Sequence, residues 1–287
     1  MDDRNLHIID LEKNSKTFFS KGEINWKKSE ADVWSELEAQ IKIKPAGKPV
    51  SLFPNVLKWV AAAMVVLLVG LSGVTFLYTK TIESVQGQKL IAELPDGTIV
   101  EMNAGSTLKY YPIKWKFQRK LQFEGEGYFE VSKGKKFGVV SENGITQVLG
   151  TSFNIYARES DYRVTCLTGK VKVVSNTNES VLLMPNNHVE LENGKLVMKT
   201  NYKTEKVIDW KMNQFDFTGR SLNEVFNEIA RQYAVQIQLQ PELGTRSFSS
   251  NFSKPNHVED VLDYVCKSMQ IKYIKQSENV FLIVKNN

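Results

Sequence analysis

The most pronounced hydrophobic segment of the chain is an uncharged run at residues 59–79, WVAAAMVVLLVGLSGVTFLYT. A bilayer core about 30 Å thick requires about 20 apolar residues in a helix. The run begins too late for a secretory signal, which occupies roughly the first 15–30 residues of a chain. The pattern therefore predicts a single transmembrane helix, with a buried helix of a soluble protein as the alternative.

A short amphipathic pattern, SEADVWSELEAQI, precedes this run. Ser29 is a helix-capping residue, and Asp32 three residues later completes a capping box. Residues 1–58 are too few and too charged to bury a full core, so the apolar side of this helix lacks a domain to pack on. We expect it to contact a partner's groove, and a helix on the membrane surface is the alternative. The predicted contact residues are Trp26, Val33, Trp34, Leu37 and Ile41.

From about residue 84 to residue 199 the hydrophobic pattern changes to a period of two. KLQFEGEGYFEV and YRVTCLTGKVKVV alternate apolar and polar positions. Turn signals separate the strands at Asp96-Gly97, Asn143-Gly144, Thr168-Gly169, Asn186-Asn187 and Asn193-Gly194. We predict an all-β domain at residues 80–200, and the pattern leaves a sandwich, a barrel and a short solenoid open.

The pattern changes again near Gln214 and predicts a second folded part at residues 201–287. Two helix patterns, SLNEVFNEIARQY and HVEDVLDYVCKSM, lie among five strand patterns in the order βαββαββ. The strand pattern at 247–252 can pair with the one at 235–239. A small α+β module of this kind leaves open sheet edges, and the candidates are 215–217 and the last hairpin through Val284.

The charges around the apolar run predict its orientation. Lys42, Lys44, Lys48 and Lys58 precede it, and no acidic residue lies between positions 39 and 58. Basic and acidic residues are mixed on the other side. Because lysine and arginine are retained on the cytoplasmic side, residues 1–58 are expected inside and residues 80–287 outside.

Composition argues against an enzyme and against nucleic-acid binding. The net charge of +5 is not gathered into a basic stripe, and the three histidines and two cysteines do not form a metal-ligand spacing. Cys166 and Cys266 each lie between apolar neighbours, so we expect buried thiols, with a disulfide as the alternative. The carboxylates that could pair lie at turns or outward strand positions, where solvation is expected: Asp96, Glu124, Glu126 and Glu130. No cofactor or metal site is predicted.

Four consecutive motifs resemble the FecR domain of membrane-bound anti-sigma factors. They are LPDGTIVEMNAGSTLKYY, LQFEGEGYFEVSK, VLGTSFNIYA and LTGKVKVVS, over about residues 88–180. FTGRSLNEVFNEIARQYAVQI resembles the C-terminal domain of these proteins, which is similar to the short N-terminal domains of secretins and TonB-dependent receptors. INWKKSEADVWSELEAQI resembles the N-terminal segment of one branch of the family.

The resemblance implies a single-pass regulator of the inner membrane with a cytoplasmic N-terminus and periplasmic C-terminal domains. Residues 1–58 would bind an extracytoplasmic-function sigma factor. The periplasmic part would receive a signal from the signalling domain of a TonB-dependent outer-membrane transporter, in cell-surface signalling that controls nutrient or iron uptake. A membrane-anchored periplasmic binding or assembly module without a sigma-factor partner is the alternative.

The resemblance also implies a proteolytic step. Gly150-Thr151 matches a site at which some relatives cleave themselves through attack by the threonine hydroxyl. An ordinary turn in a β domain is the alternative. Gly70, Ser72 and Gly73 weaken the apolar helix and would favour an intramembrane protease, although small residues also occur at helix-packing faces.

Overall fold

The computed structural model describes residues 27–41 and 54–286. The first helix, α1, is Glu30–Gln40. The predicted capping box is confirmed, because the Ser29 hydroxyl accepts from the Asp32 N–H and the Asp32 carboxylate accepts from the Ser29 N–H, both at 3.3 Å. None of the side chains of α1 is buried.

The second helix, α2, is Pro54–Leu77, with 24 residues. It starts before the predicted run, because Pro54 occupies the first helical turn, where the missing N–H of proline costs nothing. Its side chains that the structure describes are exposed. Among the described residues, no helix has both the length and the apolarity needed to cross a membrane.

Residues 80–199 form a β domain of thirteen strands and one short helix, α3 (Pro112–Trp115). The strands are β1 (Lys80–Ser84), β2 (Leu90–Glu93), β3 (Ile99–Met102), β4 (Ser106–Tyr110), β5 (Arg119–Glu130), β6 (Phe137–Ser141), β7 (Gly144–Val148), β8 (Ser152–Arg158), β9 (Asp161–Cys166), β10 (Val171–Ser175), β11 (Ser180–Leu183), β12 (Asn187–Glu192) and β13 (Lys195–Lys199).

The long strand β5 belongs to two halves of one folded-over sheet. Its first part pairs with β4 and, in parallel, with β6, and this half continues through β7, β10 and β11, with β1 beside β4. Its second part pairs with β3 and β8, and the other half continues through β9, β12 and β13, with β2 beside β3. Of the three architectures left open by the sequence, the domain is closest to a sandwich with a nearly closed sheet.

The two halves pack face to face on one hydrophobic core. The alternation predicted for β5 is confirmed, since Leu121, Phe123 and Phe129 are buried. The ring of Phe129 lies 5.1 Å from those of Phe123 and Phe153, between centroids. The strand changes halves at Gly125 (φ +117°), where an added Cβ would lie 2.6 Å from the Cα of Ser106.

Residues 204–285 contain the C-terminal α+β module. It starts with a short helix, α4 (Thr204–Val207), and a 3₁₀ turn at Asp209–Met212. The elements that follow are β14 (Gln214–Ser221), α5 (Leu222–Tyr233), β15 (Gln236–Leu239), a second 3₁₀ turn (Pro241–Leu243), β16 (Ser247–Ser253), α6 (Val258–Met269), β17 (Ile271–Ser277) and β18 (Val280–Lys285). The predicted order βαββαββ is confirmed, as is the capping box of Ser221 and Glu224.

The strand pairing in this module differs from the prediction. β16 pairs with β14, and β15 lies parallel to β18 instead of pairing with β16. Both helices and both small sheets contribute to one hydrophobic core, and Leu222, Val225, Phe226 and Ile229 of α5 are buried as predicted. The predicted domain boundaries at residues 58, 79 and 200 stay predictions.

The two cysteines are buried and free, each in its own core. Burial raises the pKa of the Cys166 thiol to about 11. Burial and, to a smaller extent, Asp263 raise that of Cys266 to about 12. Both thiols are therefore protonated and poorly reactive at neutral pH.

Candidate functional site

The exposed face of α1 is the first candidate site. Val33, Trp34, Leu37 and Ile41 lie on one side of the helix, and the Trp34 side chain is 62% exposed. Trp26, the fifth predicted contact residue, lies outside the described residues. An exposed tryptophan beside three aliphatic side chains forms an apolar strip that a partner could cover. The assignment of these residues to sigma-factor binding stays a prediction.

The Gly150-Thr151 site lies where β7 leads into β8. Gly150 has φ +152°, and an added Cβ would lie 2.7 Å from the Cα of Lys133, so this position accommodates glycine. Thr151 is buried, and its hydroxyl donates to the Lys170 carbonyl oxygen at 3.2 Å. The geometry provides a held hydroxyl next to a constrained peptide, and self-cleavage stays a prediction.

The interface between the β domain and α5 contains a cluster of polar side chains. Asn103 donates to the Glu126 carboxylate at 2.8 Å and accepts from Gln232 at 2.7 Å. Gln232 also donates to Glu228 at 2.9 Å, and Arg231 donates to the other Glu228 oxygen at 2.8 Å. The cluster joins the outer face of one half-sheet to one side of α5, so the β domain and the module share buried polar contacts.

Burial and neighbouring charge shift the two carboxylates of this cluster in opposite directions. Burial, followed by the negative charge of Glu228, raises the pKa of Glu126. Burial would also raise the pKa of Glu228, but Arg231 and Arg158 overcome this effect and lower it. Glu228 is therefore the carboxylate that the interface stabilises in its charged form.

A second set of contacts holds the module through the segment after β1. The Lys89 ammonium donates to the Trp210 carbonyl oxygen, and to the Asn213 side-chain oxygen at 2.6 Å. The Gly87 N–H donates to the Arg231 carbonyl oxygen near the end of α5 at 2.8 Å. Gly87 and Lys89, in the segment between β1 and β2, thus bind two separate parts of the module.

A cleft of about 490 Å³ lies beside the polar cluster, lined by β8, β9, β12, α5 and the segment from Thr200 to Phe217. On its wall His188 shares a 2.6 Å hydrogen bond with Thr165, stacks on Tyr202 and lies 3.2 Å from Glu190. Burial lowers the pKa of His188, although Glu190 opposes this shift. Within the described residues, no group of three or more histidine, cysteine or carboxylate side chains is arranged to hold a metal.

This interface was not predicted from the sequence. Glu126 was expected to be solvated because it lies at an outward position of β5, but α5 covers it. The expectation of solvation was also wrong for Asp96, which is largely buried and forms an ion pair with Arg119. A signal was present in the spacing of Glu224, Glu228 and Gln232, which places three polar side chains on one side of α5.

The strand edges of the module agree in part with those expected. β18, which carries Val284, is central because β15 and β17 flank it, so the last hairpin exposes β17 instead. β14 pairs on one side with β16, and the 3₁₀ turn at Asp209–Met212 packs against it. The edge of β17 is largely exposed, with Ile274 among its side chains.

Comparisons with known proteins identify both folded parts. The family described as FecR protein matches residues 80–172, and the family described as FecR, C-terminal, matches residues 214–283. Two crystal structures of a "putative anti-sigma factor" from Parabacteroides distasonis resemble the chain, each with a TM-score of 0.67. One is 28% identical and covers 73% of this chain, and the other is 27% identical and covers 72%. This chain covers 100% of both. No curated protein matches the chain.

Proposed function

The chain belongs to the FecR family, and from that premise we propose that it is an anti-sigma factor that transmits a signal across a membrane. The observation that carries the proposal is the exposed apolar face of α1, in a chain that is similar over almost three quarters of its length to solved structures of that description. Neither the family nor these structures are described as enzymes, which supports a regulatory role.

The proposed sigma-factor contact is centred on Trp34. Burying a tryptophan removes about 150–250 Å² from water, and at about 25 cal/mol per Å² this is worth several kcal/mol. Trp34→Ala in the full chain should abolish capture of the cognate extracytoplasmic-function sigma factor in a bacterial two-hybrid assay. Ser35→Ala, on the opposite side of α1, is the matched control and should bind normally. Unchanged binding by Trp34→Ala would contradict the assignment.

We propose that residues 59–79 anchor the chain in the inner membrane, with residues 1–58 in the cytoplasm. Three features support this proposal: residues 59–79 contain no charged side chain, lysines precede the run, and the described apolar side chains of α2 are exposed. Reporter fusions at Lys44 and at Lys195 should report the cytoplasm and the periplasm, respectively. If both fusions report the same compartment, the topology is wrong.

For signal reception we favour the open edge of β17, which could accept a strand from the signalling domain of a TonB-dependent transporter. A bulky maleimide attached to Ile274→Cys should block binding of that domain to the full chain. The same label at Ile91→Cys, which is exposed on the β domain, should leave binding intact. Equal binding by both labelled proteins would exclude the β17 edge.

Release of the sigma factor is proposed to involve proteolysis, at Gly150-Thr151 and within α2, by self-cleavage and by periplasmic or intramembrane proteases. If the full chain runs as one intact band and Thr151→Ala signals normally, self-cleavage is not part of the mechanism. The alternative function is a membrane-anchored binding or assembly module. A sigma-factor gene next to the gene for this chain, with a transporter gene beyond it, would favour the anti-sigma role.

A further inference from the structure

One end of the first half-sheet lies next to the point where the chain leaves α2. Lys80, the first residue of β1, pairs with Tyr110, the last residue of β4. At the same end, β5 and β6 begin side by side, with Arg119 opposite Phe137, and β7 ends with Val148 opposite Phe137. The segments 111–118, 131–136 and 149–151 therefore lie at this end, within a few strand spacings of about 4.8 Å from the exit of the helix.

This end exposes large apolar side chains that the core of the β domain does not use. Phe117 is 77% exposed, and Leu149 is 65% exposed. Ile113 and Tyr78 are also exposed. The Gly134 N–H donates to the Leu149 carbonyl oxygen, which places Leu149 against the 131–136 segment. Aromatic and aliphatic side chains in this arrangement are typical of a surface that enters a membrane interface.

The same end is basic. Its exposed lysines are Lys80, Lys116, Lys120, Lys133, Lys135 and Lys136. Of the acidic side chains nearby, Asp96 is neutralised by its ion pair with Arg119, and Glu93 and Glu130 are exposed on either side of Ile99. The excess of positive charge surrounds the exposed apolar side chains.

The opposite end of the sheet is acidic. The turns there carry Glu142, Glu159 and Glu179. Hydrogen bonds place these turns together, since Asn143 donates to the Glu159 carbonyl oxygen and Asn176 donates to that of Glu142. The β domain is thus polarised along its strands, with the positive end at the exit of α2.

We propose that this positive end, defined by Ile113, Phe117 and Leu149 with the surrounding lysines, docks onto an anionic lipid surface. The proposal rests on the membrane anchoring proposed above, which keeps the lysines close to headgroups. Phe117 enters the interface, and the lysines lie within the Debye length of about 8 Å of the lipid charges. Docking positions the Gly150-Thr151 loop at the membrane, where bilayer contact limits access to it.

The test uses the full chain in nanodiscs, with an environment-sensitive dye on Gln118→Cys. The native thiols are buried with raised pKa values, so the dye reacts with the introduced cysteine. In discs that contain phosphatidylglycerol, acrylamide should quench this dye several-fold less than the same dye on Glu142→Cys at the acidic end. In discs of phosphatidylcholine alone, the difference should shrink.

Variants separate the contributions of charge and apolar contact. Changing Lys116, Lys135 and Lys136 to Gln should lower the ratio of docked to undocked protein about fivefold for each lysine. Phe117→Ser should lower it further, whereas Lys195→Gln, outside this end, should leave it unchanged. Added salt should weaken docking.

Several results would overturn the proposal. Equal quenching at positions 118 and 142 in anionic discs shows that no docking occurs. Protection that is independent of lipid charge, or that appears only with a second protein, assigns this end to another partner. If the chain does not enter discs at all, the anchoring proposal fails by itself. The labelled chain is then mixed with phosphatidylglycerol vesicles, where unchanged quenching overturns docking as well.

Discussion

The two carboxylates at the interface of the β domain and α5 should respond unequally to the same substitution. Glu228→Gln removes a charge that Arg231 binds through two nitrogens, at 3.1 and 2.8 Å, while Arg158 lies nearby. Breaking a buried ion pair costs about 3–5 kcal/mol. The Glu228 side chain is 15% exposed in the folded chain, and glutamine can retain one acceptor contact. We therefore expect the free energy of unfolding to fall by about 2–3 kcal/mol.

Glu126→Gln should change stability by less than about 1 kcal/mol. The substitution removes a charge that burial and Glu228 both disfavour, which is a gain at neutral pH. It also replaces one acceptor oxygen by an NH₂ group facing the amide of Asn103 or Asn154, and losing one such hydrogen bond costs about 1 kcal/mol. The two effects are similar in size and opposite in sign.

The measurement is urea unfolding of the full chain in a mild detergent at pH 7, followed by near-UV circular dichroism. The double variant completes a double-mutant cycle. Glu126→Gln should be more favourable for stability in the native background than in the Glu228→Gln background, because only the native chain has repulsion between the two carboxylates. If Glu126→Gln is as destabilising as Glu228→Gln, or the cycle shows no coupling, the assigned charge states are wrong.

Three further predictions concern other parts of the chain. Gly150→Ala should lower the free energy of unfolding by about 1–3 kcal/mol, because the added Cβ would lie 2.7 Å from a neighbouring backbone atom. Gly138→Ala is the control, since its nearest neighbouring atom would lie 3.9 Å from the added Cβ. Equal melting temperatures of the two variants would contradict this prediction. Because the pKa of His188 is lowered in the folded chain, the unfolded chain binds more protons at this side chain than the folded chain does. Stability should therefore fall as the pH drops below about 6.5, the ordinary pKa of histidine. His188→Gln should reduce this loss when the melting temperature is measured as a function of pH. Cys166 and Cys266 should react with a thiol reagent only after unfolding, and labelling of the native chain at neutral pH would show that the cores open.

Local pattern was sufficient for the elements and for the order of the C-terminal module. The alternation around Phe123 and Phe129 has a period that only a half-buried strand satisfies, and the cap at Ser221 marks the start of α5. Strand pairing depends on contacts between distant residues. The parallel pairing of Gln236 with Val280 brings together segments separated by a helix and two strands. The sequence of neither segment indicates which strand it pairs with.

The interface was hidden from the sequence for a similar reason. A glutamate at an outward strand position is ordinarily solvated, so Glu126 gave no indication that α5 would cover it. The partners Asn103, Glu228 and Gln232 are polar residues whose roles emerge only when two domains meet. The face of α1 was easier to predict, because Trp34 and its neighbours follow the helical period.

The sharing of β5 by both half-sheets has a consequence for how the domain reaches its native state. β5 pairs with strands that precede it, at Ile99 and Thr107, and with strands that follow it, at Phe137 and Ala157. Before β5 is available, β1 can pair only with β4 and β2 only with β3, so the edges of β3 and β4 that later bind β5 stay open and are exposed to aggregation. Such non-local pairing predicts slow folding in one cooperative step. A chain that is interrupted within β5 leaves both halves unfinished, so neither half can be produced alone as a stable fragment.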